Sequence, residues 1–252
     1  MSTERKPFGA DLPGWPQVDF AAFGEIEARP LSRIQKLVSG FMARNWVTIP
    51  HVTHHDEADI TALDAFRKAF NEANPDAKVT PLAFFVKAVV AVLRQFPQFN
   101  ASLDPQGTLI LKKYFHIGIA VDTPGGLLVP VIRDCDRKGP ADIAREIAAL
   151  SQKARQKGLP MTDMVGGCFT ITSLGGIGGT AFTPIINAPE VAILGVTKAQ
   201  LKPRRADDDS IDWRLMLPLS LSYDHRVING ADAARFTVAV ATALADPQSL
   251  MS

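Results

Sequence analysis

The strongest constraint on the fold is a change of hydrophobic period at Phe99. Before it the apolar residues recur at helical spacing. Ser32 can cap a helix whose Ile34, Leu37, Val38, Phe41 and Met42 form one stripe at i, i+3, i+4, i+7 and i+8. Thr61-Ala62-Leu63-Asp64 matches a capping box for a helix carrying Leu63, Phe66 and Phe70. Thr80 and Pro81 supply an N-cap and a first-turn proline. The helix after them, with Leu82, Phe84, Phe85, Val86, Val89, Val90, Val92 and Leu93, is apolar on all sides, which predicts burial against a sheet. From Phe99 the period is two, and residues 99–103, 108–111, 115–122 and 127–133 read as strands. Asp104-Pro105-Gln106-Gly107 and Thr123-Pro124-Gly125-Gly126 are turns, and turns this short join antiparallel neighbours. Residues 50–59, 167–173, 191–196 and 213–222 are further strands, and Pro140 opens a helix to about Gly158.

A chain of 252 residues can bury one large core. Its formal net charge of +1 gives no broad field for nucleic acid or an acidic membrane surface. No apolar run reaches the ~20 residues that span a bilayer, and the N-terminus has no apolar signal core. Cys135 and Cys168 make no disulfide framework, so they read as small buried residues in a reducing, cytoplasmic setting. Residues 1–25, with Pro7, Gly9, Pro13, Gly14, Pro16 and Gly24, read as an extended arm before a domain over 26–252. Trp15, Phe20 and Phe23 are too apolar for a free linker and are expected on a neighbouring surface such as another subunit. Between the last two strands, Arg204, Arg205 and residues 207–209 predict a polar surface loop. Leu250 and Met251 are apolar on an otherwise polar tail, which favours further association.

Two stretches carry the chemistry. Residues 219–236 begin as a half-buried strand and end as a helix with Ala234 and Val238 on one face. Between them His225 stands in a short connector closed by Gly230. A rigid strand end can hold an imidazole for proton transfer; the plainer alternative is a loop histidine that caps or packs. Ser173 ends a strand that enters Leu174-Gly175-Gly176-Ile177-Gly178-Gly179. This loop is neither a P-loop, since no Lys-Ser or Lys-Thr follows, nor a dinucleotide fingerprint. Its glycines let backbone pass close to a ligand or another chain. His51, His54 and His55 invite a metal reading, but 51 and 55 share one strand face while 54 points the other way. They read as surface or interface histidines, and no metal site is expected.

Asp224-His225-Arg226-Val227-Ile228-Asn229-Gly230 resembles the signature of the acyltransferase core of the 2-oxo acid dehydrogenase complexes, a family that shares fold and mechanism with chloramphenicol acetyltransferase. Pro50-His51-Val52-Thr53, the runs 118–130 and 167–176, and residues 187–195 resemble its acetyl-transferring, pyruvate-complex branch, over about residues 26–252. The resemblance implies a chloramphenicol acetyltransferase-like α+β fold that forms trimers, with a mixed but mostly antiparallel sheet and flanking helices. It implies a larger shell, a 24-subunit cube in many members, with pyruvate dehydrogenase and dihydrolipoamide dehydrogenase as partner components. The substrates it implies are coenzyme A and a lipoamide carried on a lipoyl domain that this sequence does not contain. His225 is then the general base, and Ser173 the oxyanion-binding serine. Asn229, the third catalytic candidate, stands where the family commonly has aspartate; its amide can position the loop or donate toward the intermediate but cannot form an ion pair. Arg33 is the candidate counterpart of an arginine that pairs with that aspartate in chloramphenicol acetyltransferase. Arg67 and Lys68 are candidates for the phosphates of coenzyme A, beside the plainer reading of a solvated helix face. His54 and His55 are candidates for the acyl-donor channel.

Thiol-to-thioester exchange needs no enzyme nucleophile, because the substrate supplies the sulfur. A thiol of ordinary pKa about 8.5 and an imidazole of about 6.5 are matched for general-base transfer near neutrality. Two rivals stand beside this reading. A serine hydrolase-type thioesterase would use Ser173, His225 and Asp224 through a covalent acyl-enzyme, although Ile171-Thr172-Ser173-Leu174-Gly175 lacks the first glycine of a nucleophile elbow. A catalytically inactive assembly scaffold is the other, prompted by Asn229.

Overall fold

A computed structural model describes residues 14, 16–206 and 208–251, so Trp15, Asp207 and the residues before Gly14 lie outside the described residues. Helix α1 (Arg33–Thr48) leads into β1 (His51–Asp59), then α2 (Thr61–Ala73) and α3 (Pro81–Gln95). Strands β2 (Ala101–Leu103) and β3 (Leu109–Leu111) form a hairpin. Next come β4 (Ile117–Ile119), β5 (Val121–Thr123), β6 (Gly126–Leu128), β7 (Val131–Ile132) and α4 (Pro140–Lys157). The chain closes with β8 (Phe169–Ser173), β9 (Ala192–Val196), β10 (Gln200–Arg205), β11 (Ile211–Asp224) and α5 (Gly230–Ala245).

The main sheet has seven strands in the order β1-β11-β9-β8-β4-β7, with β10 paired to β11. Pairing is antiparallel except for β9-β8 and β8-β4, so the sheet is mixed and mostly antiparallel, as expected. Two predicted strands break in the middle. The 115–122 run divides at Ala120 into β4, in the main sheet, and β5, which pairs with β6 in a separate ribbon. The 127–133 run divides at Pro130, which has no N–H to continue a ladder; its carbonyl instead accepts from Ile119 N–H at 2.9 Å.

Leu219, Leu221 and Tyr223 of β11 face the helical layer and join its core. In that core Phe236 of α5 stacks on Phe99 at 4.1 Å between ring centres. Helix α3 is buried on all sides, as expected, but its principal neighbours are α4 and α5 rather than the sheet. The opposite face of β11 was expected to be half-exposed, and it is buried. The segment between β8 and β9 covers it: Phe182 N–H donates to Ser220 Oγ at 3.4 Å, and Ser222 bonds Thr53 at 2.8 Å. Phe182 also lies over Gly195, where a Cβ would come within 2.5 Å of the ring. Gly195→Ala should therefore overpack this face and cost roughly 1–3 kcal/mol, read as a thermal midpoint lower by several degrees. An unchanged midpoint would mean that the ring is not seated there.

Other expectations need correcting. Thr61 does not form a capping box. Its Oγ1 accepts from Leu215 N–H at 2.8 Å and donates to Asp59 at 2.6 Å, and Ile60 is the N-cap. Ser32 does form one, with Gln35. Of the predicted polar loop, Arg204 and Arg205 instead end β10, held to β1 by ion pairs from Lys202 and Arg204 to Glu57, while Asp208 and Asp209 do lie in an exposed turn before β11. Helix α5 buries Ala233, Phe236, Thr237, Val240 and Leu244, while Val238 is exposed. Leu250 is buried in the chain's own core beside α3 and offers nothing to a neighbour. The α1 stripe is genuine but uncovered: Ile34, Leu37 and Phe41 are each about half exposed, and Phe20 and Phe23 before it are more exposed still, the latter at 84%.

Candidate active site

His225 follows the last residue of β11 and is exposed at that end of the sheet. Its backbone N–H donates to Pro50 O at 3.1 Å, and its ring lies 5.9 Å from the buried Tyr223 ring. Asp224 points the other way and is 2% exposed. It accepts from Arg226 N–H at 3.0 Å, Nε at 2.9 Å and Nη2 at 2.6 Å, so it brackets the turn that presents the imidazole. That hydrogen bond raises the guanidinium's already high value, against the effect of burial. Backbone alternation explains the split: neighbours on a strand face opposite sides. The bracket spans two residues and is a local feature of the strand end; the supporting Tyr223 ring and Pro50 carbonyl come from the packing of β11 beside β1.

Asn229 is the N-cap of α5. Its Oδ1 accepts from Asp232 N–H at 2.9 Å and its Nδ2 donates to Asp232 Oδ2 at 2.8 Å. It closes the histidine turn onto the helix without any charge. Arg33 is exposed at the start of α1 and forms no ion pair among the described residues.

Ser173 ends β8 and is exposed. Its Oγ accepts from Gly175 N–H at 3.3 Å, which leaves its own O–H to donate outward. The turn-serine reading is thus correct for the acceptor and open for the donor. His55 belongs to the same end of the sheet. It bonds Ser220 Oγ at 2.9 Å and lines a cavity of about 190 Å³ with Thr180, Ala181, Pro218 and Leu219. His51 is structural: Nδ1 donates to Ile49 O at 2.8 Å and Nε2 accepts from Ile186 N–H at 3.0 Å. Among the described residues no group of three or more His, Cys, Asp or Glu side chains is placed to hold a metal. Cys135 and Cys168 are unpaired and buried, and burial pushes the Cys135 thiol up to about 12.

The register shows how far apart the two candidate groups lie. Ser173 pairs with Val196 and Val196 with Leu219, whereas His225 comes six residues after Leu219. At a strand's rise, that places them about 20 Å apart along the sheet. No Ser173–His225–Asp224 triad forms within one chain, and Asp224 is turned away from His225 in any case. The hydrolase alternative has no support here. Arg67 and Lys68 both reach Asp64 at 2.8 Å. Burial works against the Asp64 charge, but hydrogen bonds from Lys68 and Arg67 bring its carboxyl below the usual range. Lys68 stays largely exposed, while Arg67 is mostly covered. No helix among the described residues is long and apolar enough to cross a membrane.

The model of the family described as 2-oxoacid dehydrogenases acyltransferase (catalytic domain) matches residues 23–252. The dihydrolipoyllysine-residue acetyltransferase component of the pyruvate dehydrogenase complex of Cupriavidus necator is 58% identical over 234 residues. That match spans 92% of this chain and 42% of the relative, so the chain is under half the length of that protein. The cubic core of a pyruvate dehydrogenase multienzyme complex has a TM-score of 0.92 at 53% identity, covering 96% of this chain and 100% of the other. The dihydrolipoamide acetyltransferase of Azotobacter vinelandii gives the same figures, in a study of one serine, one histidine and one asparagine in its catalytic mechanism. Those three residues have the sequence spacing of Ser173, His225 and Asn229. Chloramphenicol acetyltransferase, at 16% identity and a TM-score of 0.56 over 78% of this chain and 89% of that one, shares the fold.

Proposed function

The chain belongs to the 2-oxoacid dehydrogenases acyltransferase (catalytic domain) family, and on that premise we propose that it moves an acetyl group between dihydrolipoamide and coenzyme A at a site shared by two copies of the chain. The observation that carries this reading is the sheet-length separation of His225 from Ser173. Neither group has its complement within its own chain, and both are exposed at opposite ends of one sheet. A head-to-tail contact that closes on itself as a ring brings one end of each copy to the other end of the next.

In that shared site the His225 imidazole of one copy takes the proton from the thiol of coenzyme A. The sulfur attacks the thioester carbon of acetyl-dihydrolipoamide, and the carbonyl electrons move onto oxygen. Ser173 of the neighbouring copy donates its O–H to this oxyanion. The intermediate collapses by breaking the bond to the lipoyl sulfur, which leaves as thiolate and takes the proton back from His225. Asn229 holds the histidine turn onto α5. Lys68, and to a lesser degree Arg67, offer positive charge to the phosphates of coenzyme A.

The uncovered apolar residues of α1 and of the arm in residues 1–25 fit a trimer contact, with 26–252 as the catalytic domain. The trimers would assemble into a 24-subunit cube that receives acetyl groups from a pyruvate dehydrogenase component. A dihydrolipoamide dehydrogenase component would reoxidise the lipoyl group, which would be carried by a lipoyl domain outside this sequence. A cytoplasmic setting suits these partners.

Subunit mixing tests the shared site. His225→Ala and Ser173→Ala chains are each assembled alone and then together from denatured mixtures, and acetyl transfer from acetyl-coenzyme A to free dihydrolipoamide is measured. The mixture should regain activity through contacts that pair an intact histidine with an intact serine, roughly a quarter of the sites. Activity in the mixture no higher than in the separate variants refutes a shared site.

A further inference from the structure

Glu190 is a buried acid that the proposed reaction does not use. It is 4% exposed and lies just before β9. Thr170 Oγ1 donates to its Oε2 at 2.6 Å, and the Asn187 side chain also bonds it. Its Oε1 lies over Gly167, where a Cβ would come within 2.7 Å; glycine there leaves room for the carboxyl. Lys112, beyond the end of β3, faces it. The Lys112 ammonium donates to Gly167 O at 3.2 Å and to Ala101 O at 3.4 Å. Cys168 also feels the Glu190 and Lys112 charges, and Tyr114 and Arg133 lie one step further out, beside Cys168 and each other. Burial pushes the Glu190 carboxyl up to about 7, against the opposing pull of Thr170, Lys112 and Asn187.

A short chain of bonds runs from this acid to the histidine. Glu190 N–H donates to Asn187 O at 3.1 Å and closes a turn. The next residue's carbonyl, Val191 O, accepts from Asp224 N–H at 2.9 Å. Asp224 is the residue from which the histidine turn departs. We infer that Glu190 is a positioning residue for His225: its carboxylate ties the 187–190 turn to β8, and that turn sets the carbonyl that holds the Asp224 amide. A carboxylate draws the Asn187 amide, the Thr170 hydroxyl and the Lys112 ammonium more strongly than a carboxylic acid does. The histidine turn is therefore held best when Glu190 is ionised, above neutral pH.

The same proton carries a stability signature. The folded value lies above the ordinary carboxyl value of 4.5. Between about 4.5 and about 7 the unfolded chain has lost this proton while the folded chain keeps it, so Glu190 makes stability fall as pH rises through that window.

The kinetic arm of the test rests on the acetyl-transfer reading; the other arms do not. Glu190→Gln keeps the side-chain shape and removes the titration. Its kcat should be roughly fivefold below wild type at pH 8 and within about twofold at pH 6. In Lys112→Met the rise of kcat with pH should move to higher pH, because the ammonium that favours the carboxylate is gone. The thermal midpoint of Glu190→Gln should exceed that of wild type at pH 8 and match it at pH 5. The rate at which diethyl pyrocarbonate labels His225, followed by mass spectrometry, should differ between the two proteins at pH 8 and agree at pH 6. Wild-type kcat and labelling of Glu190→Gln at pH 8 overturn the inference, and so does a midpoint difference that does not vary with pH. If wild type transfers no acetyl group, the functional reading fails by itself, and labelling still decides whether Glu190 positions His225.

Discussion

Replacing His225 by alanine lowers kcat for acetyl transfer by at least about 100-fold, the scale of losing a general base. The expectation rests on placement. The imidazole is exposed at the end of β11, and its backbone is fixed by the Pro50 carbonyl and the Asp224–Arg226 bracket. The bracket does not involve the imidazole, so the variant should keep its turn, its assembly and its affinity for coenzyme A. Initial rates with dihydrolipoamide and acetyl-coenzyme A, with native mass of the assembly as control, provide the check. Turnover within a few-fold of wild type would remove His225 from the mechanism, and with it the reading that the chain is an enzyme of this kind.

Ser173→Ala should lower kcat by roughly 100-fold, about 3 kcal/mol of transition-state stabilisation, with little change in the Kd of coenzyme A. The serine's acceptor side is already used by Gly175 N–H, so what the variant removes is the outward O–H. A loss confined to affinity would make Ser173 a binding group instead. Mass spectrometry after mixing with acetyl-coenzyme A separates this role from nucleophilic catalysis. An oxyanion donor stays unmodified, and an acetylated Ser173 would restore the thioesterase reading.

Local patterns in the chain were sufficient for much of the architecture. The Ser32 box, the proline that opens α3, the period of two after Phe99 and the turns at 104–107 and 123–126 all depend on neighbours within a few residues. The errors fall where a distant segment competes for the same group. Thr61 could cap its own helix, but the Leu215 amide, brought alongside by β1-β11 pairing, takes its hydroxyl. The serines of β11 read as a solvated face, yet Phe182 and its segment cover them. Leu250 read as a free tail, and α3 buries it.

The same division holds for the site. The candidate side chains were singled out by one strand-turn-helix motif and one strand-loop motif together with the family resemblance these carry, because a rigid backbone end and a nearby glycine are local properties. Where those side chains lie was not, because distance along the sheet is set by register. The pairing of β8 through β9 to β11 puts Ser173 level with Leu219, far from His225. Hydrogen-bonded partners from remote parts of the chain establish that register, and the separation it sets is what makes a site shared by two copies the reading to test.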